Sequence, residues 1–127
     1  MRKFGEIGRV KSGKIEYIII TTKHEYVQLD IPWFDIFISK KSTKRLGLNS
    51  QYDLLGNVFN FSIMKKIEEV IKNYIDQTNP EFLAVGAHMD CYNRRMNLYS
   101  RRLKAMGYIK KEEFNYWGQF FYIYEKE

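Results

Sequence analysis

The chain has 127 residues, 45% of them hydrophobic, a single cysteine and a formal net charge of +6. This length and apolar content suit one domain spanning residues 1–127, and a lone Cys91 excludes an internal disulfide, so burial alone must hold the fold. With His24 and His88 the only histidines, no Cys/His zinc pattern can be written, and His88-Met89-Asp90 suits a strand-to-helix turn capped by Asp90 better than a metal site; a Walker loop, a G-x-S-x-G elbow and a dinucleotide fingerprint are also absent, which sets aside hydrolases and kinases.

No N-terminal stretch joins a basic head to an apolar run, and the longest apolar stretch, around Ile18 to Ile20, is far too short to span a bilayer. The expectation is a cytoplasmic protein with no membrane partner. Its positive charge is uneven. Residues 1–50 carry ten Lys or Arg against five acids, and Cys91 to Lys111 carry seven cations and no acid. Such a surface attracts anions, and it also serves simply as a solvated face.

In chain order, Phe4 to Val10, Lys14 to Thr22, Glu25 to Ile31 and Trp33 to Ser39 are rich in β-branched and aromatic residues, broken at Ser12-Gly13, Lys23-His24 and Pro32. This predicts an antiparallel meander whose last strand, interrupted only by Asp35, is central and buried on both faces. Residues Lys40 to Asn49 show no apolar period and read as a mobile loop carrying Lys40, Lys41, Lys44 and Arg45. From Asn60 to Asp76, the residues Ile63, Met64, Ile67, Val70, Ile71, Tyr74 and Ile75 repeat with helical spacing, and Asn79-Pro80 blocks continuation. A short apolar strand, Phe82 to Ala87, follows. A second helix is predicted from Asp90 to Met106, with Tyr92, Met96, Tyr99, Leu103 and Met106 on one arc, Arg94 and Arg101 opposite, and Arg95 and Arg102 at its borders; Gly107 stops it. A final aromatic strand, Phe114 to Tyr124, closes the sheet. The expected class is α+β, with a central, mostly antiparallel twisted sheet and two main helices.

The helix entry Tyr52-Asp-Leu-Leu-Gly-Asn-Val-Phe, the strand Phe82-Leu-Ala-Val-Gly-Ala, the helix Asn93-Arg-Arg-Met-Asn-Leu-Tyr99-Ser-Arg-Arg-Leu and the ending Gly107-Tyr108, in that order, resemble the GCN5-related N-acetyltransferase superfamily, in particular small acetyltransferase-like proteins of bacteriophages. The resemblance covers about Trp33 to Glu127. It implies acetyl-coenzyme A as cofactor, docked where the strand near Tyr52 and the strand Phe82 to Ala87 diverge. It also implies a pyrophosphate loop laid on Gln51 to Gly56, with the N–H groups of Gly56, Asn57 and Val58 at a helix start, where unpaired donors and the helix dipole favour anions. Leu54 takes the place of that loop's first glycine, so weak coenzyme A binding is expected. By the same resemblance Asn93 is a cofactor contact and Tyr99 the acid toward the departing thiolate, although its arc with Met96 and Leu103 equally suits a core tyrosine.

Two functions therefore stand side by side at this stage. One is a degenerate acyl-coenzyme A-dependent N-acetyltransferase. The other is a non-catalytic phage-type inhibitor or binding protein that engages a host protein, nucleic acid or anionic nucleotide through Lys40, Lys41, Lys44, Arg45, Arg94, Arg95, Arg101 and Arg102.

Overall fold

A computed structural model describes residues 5–23, 31–51, 61–88, 100–116 and 119–127. Six strands form one sheet: β1 (Gly5–Ser12), β2 (Ile15–Lys23), β3 (Pro32–Ile38), β4 (Phe82–His88), β5 (Tyr108–Tyr116) and β6 (Gln119–Lys126). Their spatial order is β1-β2-β3-β4-β6-β5. Helices α1 (Lys40–Arg45) and α2 (Phe61–Thr78) lie between β3 and β4, and residues 100–105 are helical as well.

The sheet is mixed rather than the mostly antiparallel one expected, because β3 and β4 run parallel at its centre while the other neighbours are antiparallel. A parallel pair requires a crossover, and the long amphipathic α2 lies in that crossover. Its apolar stripe explains the placement: Ile63, Met64, Ile67, Tyr74 and Ile75 are buried, and Val70 and Ile71 half-buried, as the spacing predicted. Asn79 ends the helix in the left-handed region at φ 45°, its N–H donating to the Ile75 carbonyl at 2.7 Å.

The core on the α2 side has two lobes. Val10, Tyr17, Ile19, Ile36, Ile38, Ile63 and Ile67 form one; Phe34, Tyr74, Ile75, Leu83, Val85, Leu103, Tyr108, Tyr122 and Tyr124 form the other. Phe34 and Tyr74 meet edge-on at 5.6 Å between ring centres. The opposite face carries Ile31, Ala84 and Ile123, with Trp33 set edge-on against Phe121 at 4.7 Å. Strand β3 is central as predicted, but it is fully buried only on the α2 side; Trp33, Asp35 and Phe37 on the other face are half-buried.

Two other expectations are corrected. Lys40 to Asn49 contain a capped helix rather than only a loop. Ser39 Oγ accepts from the Ser42 N–H at 3.1 Å, and beyond Arg45 the Gly47 N–H meets the Lys44 carbonyl while the Leu48 N–H meets Thr43. Gly47, at φ 67°, takes the left-handed position that this closure needs. Six residues are too few to show a helical period, so only the caps could have signalled α1. The single last strand is in fact the hairpin β5-β6. Strand β5 lies at the sheet edge with residues 109–113 exposed, which removes the apolar alternation that marks a strand. The predicted strand Glu25 to Ile31 (save Ile31) and residues 90–99 of the second predicted helix lie outside the described residues.

Candidate functional site

The central parallel pair is short. Strands β3 and β4 match only at Trp33 with Ala84 and Phe34 with Val85, yet β3 continues to Ile38 and β4 to His88. Beyond Phe34 no further pairing joins the two strands among the described residues. On its other side β3 stays paired with β2 through Ile38, and β4 stays paired with β6 through His88, so the gap opens within an otherwise continuous sheet.

Gln51 closes the far end of this gap. Its backbone carbonyl accepts from the Ile38 N–H at 2.9 Å, and its side-chain Nε2 donates to the Ile38 carbonyl at 2.8 Å. Strand residues two apart turn their backbone groups the same way, so the N–H and C=O of Ile36 lie on that same edge, between the Phe34 pairing and the Gln51 clasp. From Phe34 to Ile38 the edge runs for about 13 Å at the usual rise of ~3.3 Å per residue.

Beside Gln51 lies a shallow depression of about 560 Å³, lined by Lys40, Thr43, Lys44, Leu48, Asn49, Ser50 and Gln51. Its position follows from how α1 is moored. Ser39 donates its N–H to the Glu16 carbonyl at 2.9 Å, and the buried Ser42 accepts through Oγ from the Glu16 N–H at 3.1 Å. With Ser42 turned to the sheet, Lys40 and Lys44 share one outer edge of the helix and Lys41 and Arg45 the other.

Of the residues singled out from the sequence, the structure brings together Gln51, Lys40 and Lys44 at the depression, with Lys41 and Arg45 on the same helix. Arg101 is exposed, and Arg102 is tied to Glu68 on α2 at 3.2 Å, which makes it a brace between helices. Gly56, Asn57, Val58, Asn93, Arg94, Arg95 and Tyr99 lie outside the described residues. Next to the last of these, Ser100 Oγ is 2.6 Å from the Tyr124 hydroxyl, joining the helical residues 100–105 to β6. Sequence reading missed that β3 has no β4 partner beyond Phe34 among the described residues, because a strand's pairing partners leave no mark on its own sequence.

Buried hydroxyls stand close to the core rather than the gap. Tyr108 donates to the Pro80 carbonyl at 2.5 Å, and burial together with nearby Tyr74 pushes its phenol above the ordinary value. Among the described residues, no three His, Cys, Asp or Glu side chains gather to hold a metal, and no helix is long and apolar enough to cross a membrane. Comparison with protein-family models, curated proteins and solved structures returned no match.

Proposed function

We propose that the chain is an acyl-coenzyme A-binding protein on a GCN5-related N-acetyltransferase-like scaffold, a degenerate N-acetyltransferase. The observation that carries this reading is the parting of β3 and β4 after two residue pairs, with Gln51 clasped at the end of the open edge. An extended amide chain such as the pantetheine arm suits that edge, since its amides can pair with the N–H and C=O of Ile36 as a strand would. Lys40 and Lys44 beside Gln51 place positive charge near the phosphates of a cofactor entering from this side.

Acetyl-coenzyme A would supply the acyl group as a thioester. Tyr99 would hold the proton for the departing thiolate, and Asn93 with the N–H groups of Gly56 to Val58 would orient the cofactor. A phenol fits the proton role because its pKa, like that of a thiol, lies above neutrality. The second reading, a non-catalytic binder of a host protein, nucleic acid or nucleotide, is favoured by the same exposed cations of α1.

Calorimetry with acetyl-coenzyme A on the wild type and on Leu54→Gly tests the proposal. Weak binding in the wild type and tighter binding in the variant are expected, because glycine lets backbone approach phosphate closely. Tyr99→Phe should then lose turnover and keep binding. If the cofactor at millimolar concentration shifts the melting temperature of neither protein, the reading fails, since a native-state ligand must stabilise by mass action.

A further inference from the structure

The β1-β2 hairpin turns at Gly13-Lys14 and carries Lys11 and Lys14, both exposed. Two cations from distant parts of the chain reach this tip. Arg45, at the end of α1, donates through Nη1 to the Lys14 carbonyl at 3.2 Å, and Lys66, on the second turn of α2, donates through Nζ to the Lys11 carbonyl at 3.4 Å. Lys41 lies one turn before Arg45 on the same exposed edge. Five cations from three elements thus converge on one end of the molecule, and none of them forms an ion pair with a carboxylate among the described residues. Of the acids two residues away in sequence, Glu16 is paired with Arg9 at 2.9 Å and Glu68 with Arg102 at 3.2 Å.

This end is also firmly built. Val10 and Tyr17 are buried at the feet of the hairpin, Ile15 packs against the same lobe, and α1 is moored through Ser39 and Ser42. The charges therefore sit on fixed backbone rather than on a tail.

From this convergence we infer that the hairpin end, Lys11, Lys14, Lys41, Arg45 and Lys66, binds the phosphate backbone of double-stranded nucleic acid without reading its sequence. The chemistry of the surface selects that partner. Protein interfaces are depleted in lysine and centred on aromatic or aliphatic anchors, whereas among the described residues of the hairpin, α1 and its C-cap the one exposed large apolar side chain is Leu46. Membrane adsorption needs an apolar face beneath the cations, which a single leucine does not supply. Among the described residues, the hairpin tip and α1 carry no aromatic side chain on which unpaired bases could stack, and a six-residue helix is short for groove reading. What remains is contact with regularly spaced phosphates, for which lysines act as point charges.

The test is fluorescence anisotropy with a mixed-sequence duplex of about 20 base pairs over a salt series. If all five cations meet phosphates, affinity should fall by up to about 500-fold between roughly 50 and 200 mM salt, a log–log slope near −4.5. Replacing Lys11, Lys14 and Lys41 together by alanine should flatten that slope by roughly 2 to 3, whereas Lys110→Ala with Lys111→Ala on β5 should leave it unchanged. Circular dichroism confirms that each variant is folded. The inference is overturned by an unchanged slope in the triple variant, by equal binding of poly-glutamate, by binding of anionic vesicles but not of duplex, or by no duplex binding at low salt. The Leu54→Gly calorimetry reads a different part of the chain, so the two proposals fail separately.

Discussion

Gly8 sits where β1 passes beneath α2, and the packing there leaves no room for a side chain. A Cβ built on Gly8 would lie 2.5 Å from Cγ1 of Val70 and 3.1 Å from its Cγ2. Val70 cannot easily swing away, because a β-branched residue within a helix is confined to essentially one χ1 rotamer. Alanine at position 8 would also relieve the unfolded chain of glycine's extra freedom, a gain of about 0.4–1 kcal/mol. Forcing a methyl into a filled site costs about 1–3 kcal/mol, so the net expectation for Gly8→Ala is a loss of about 1–2 kcal/mol. The clash has one partner, and this makes it separable. Val70→Ala alone should cost about 1 kcal/mol for its half-buried methyls, but in that background Gly8→Ala should become neutral or stabilising, a coupling of at least about 1 kcal/mol. Urea unfolding of the four proteins, with midpoints compared at constant slope, measures the cycle. If Gly8→Ala is neutral in the wild-type background, or if the two changes simply add, β1 does not approach α2 in this way.

Ile67 is fully buried in the lobe between α2 and the first three strands, so Ile67→Ala should cost about 2–5 kcal/mol by urea titration; a change within about 0.5 kcal/mol would reject the helix placement. Burial holds the Tyr108 phenol above its ordinary value of 10.0, so its contribution is complete below that pH and is lost as pH rises through the folded value. Stability should thus decline in alkali, and Tyr108→Phe should soften that decline while losing about 1 kcal/mol at neutral pH with the bond to Pro80. Ser39→Ala removes the cap of α1 and should cost about 0.5–2 kcal/mol, with faster hydrogen exchange at the Ser42 and Thr43 amides than at those of α2.

What the sequence disclosed follows physical lines. Helix α2 was legible because its apolar residues recur with a period over 18 residues, and β4 because it is central and has no polar side chain from Phe82 to Ala87. Strand β5 was hidden because an edge strand exposed on both faces has no alternation to display, and α1 because its stability rests on Ser39, Gly47 and the partner atoms of Glu16 rather than on an apolar stripe. The parallel pairing was not legible at all. Whether β3 meets β4 in parallel depends on the connection through α2 carrying the chain back along the length of the sheet, which no residue within either strand records.

The same reasoning separates the two candidate surfaces. The gap beside β3 is a property of backbone: it exists because β2 and β6 retain β3 and β4 to their ends while the centre is paired at only two positions. No single side chain creates it. The basic hairpin end is a property of side chains, but of side chains 31 and 55 residues apart that become neighbours only through the fold, as Arg45 meets Lys14 and Lys66 meets Lys11. Charge counting along the chain placed Arg101 and Arg102 on equal footing with Arg45, yet Arg102 spends its charge on Glu68 within the fold. Exposure, mooring and the lack of a carboxylate partner among the described residues set the hairpin-end cations apart from Arg102, a distinction that composition could not make, and on that distinction the proposed nucleic-acid surface rests.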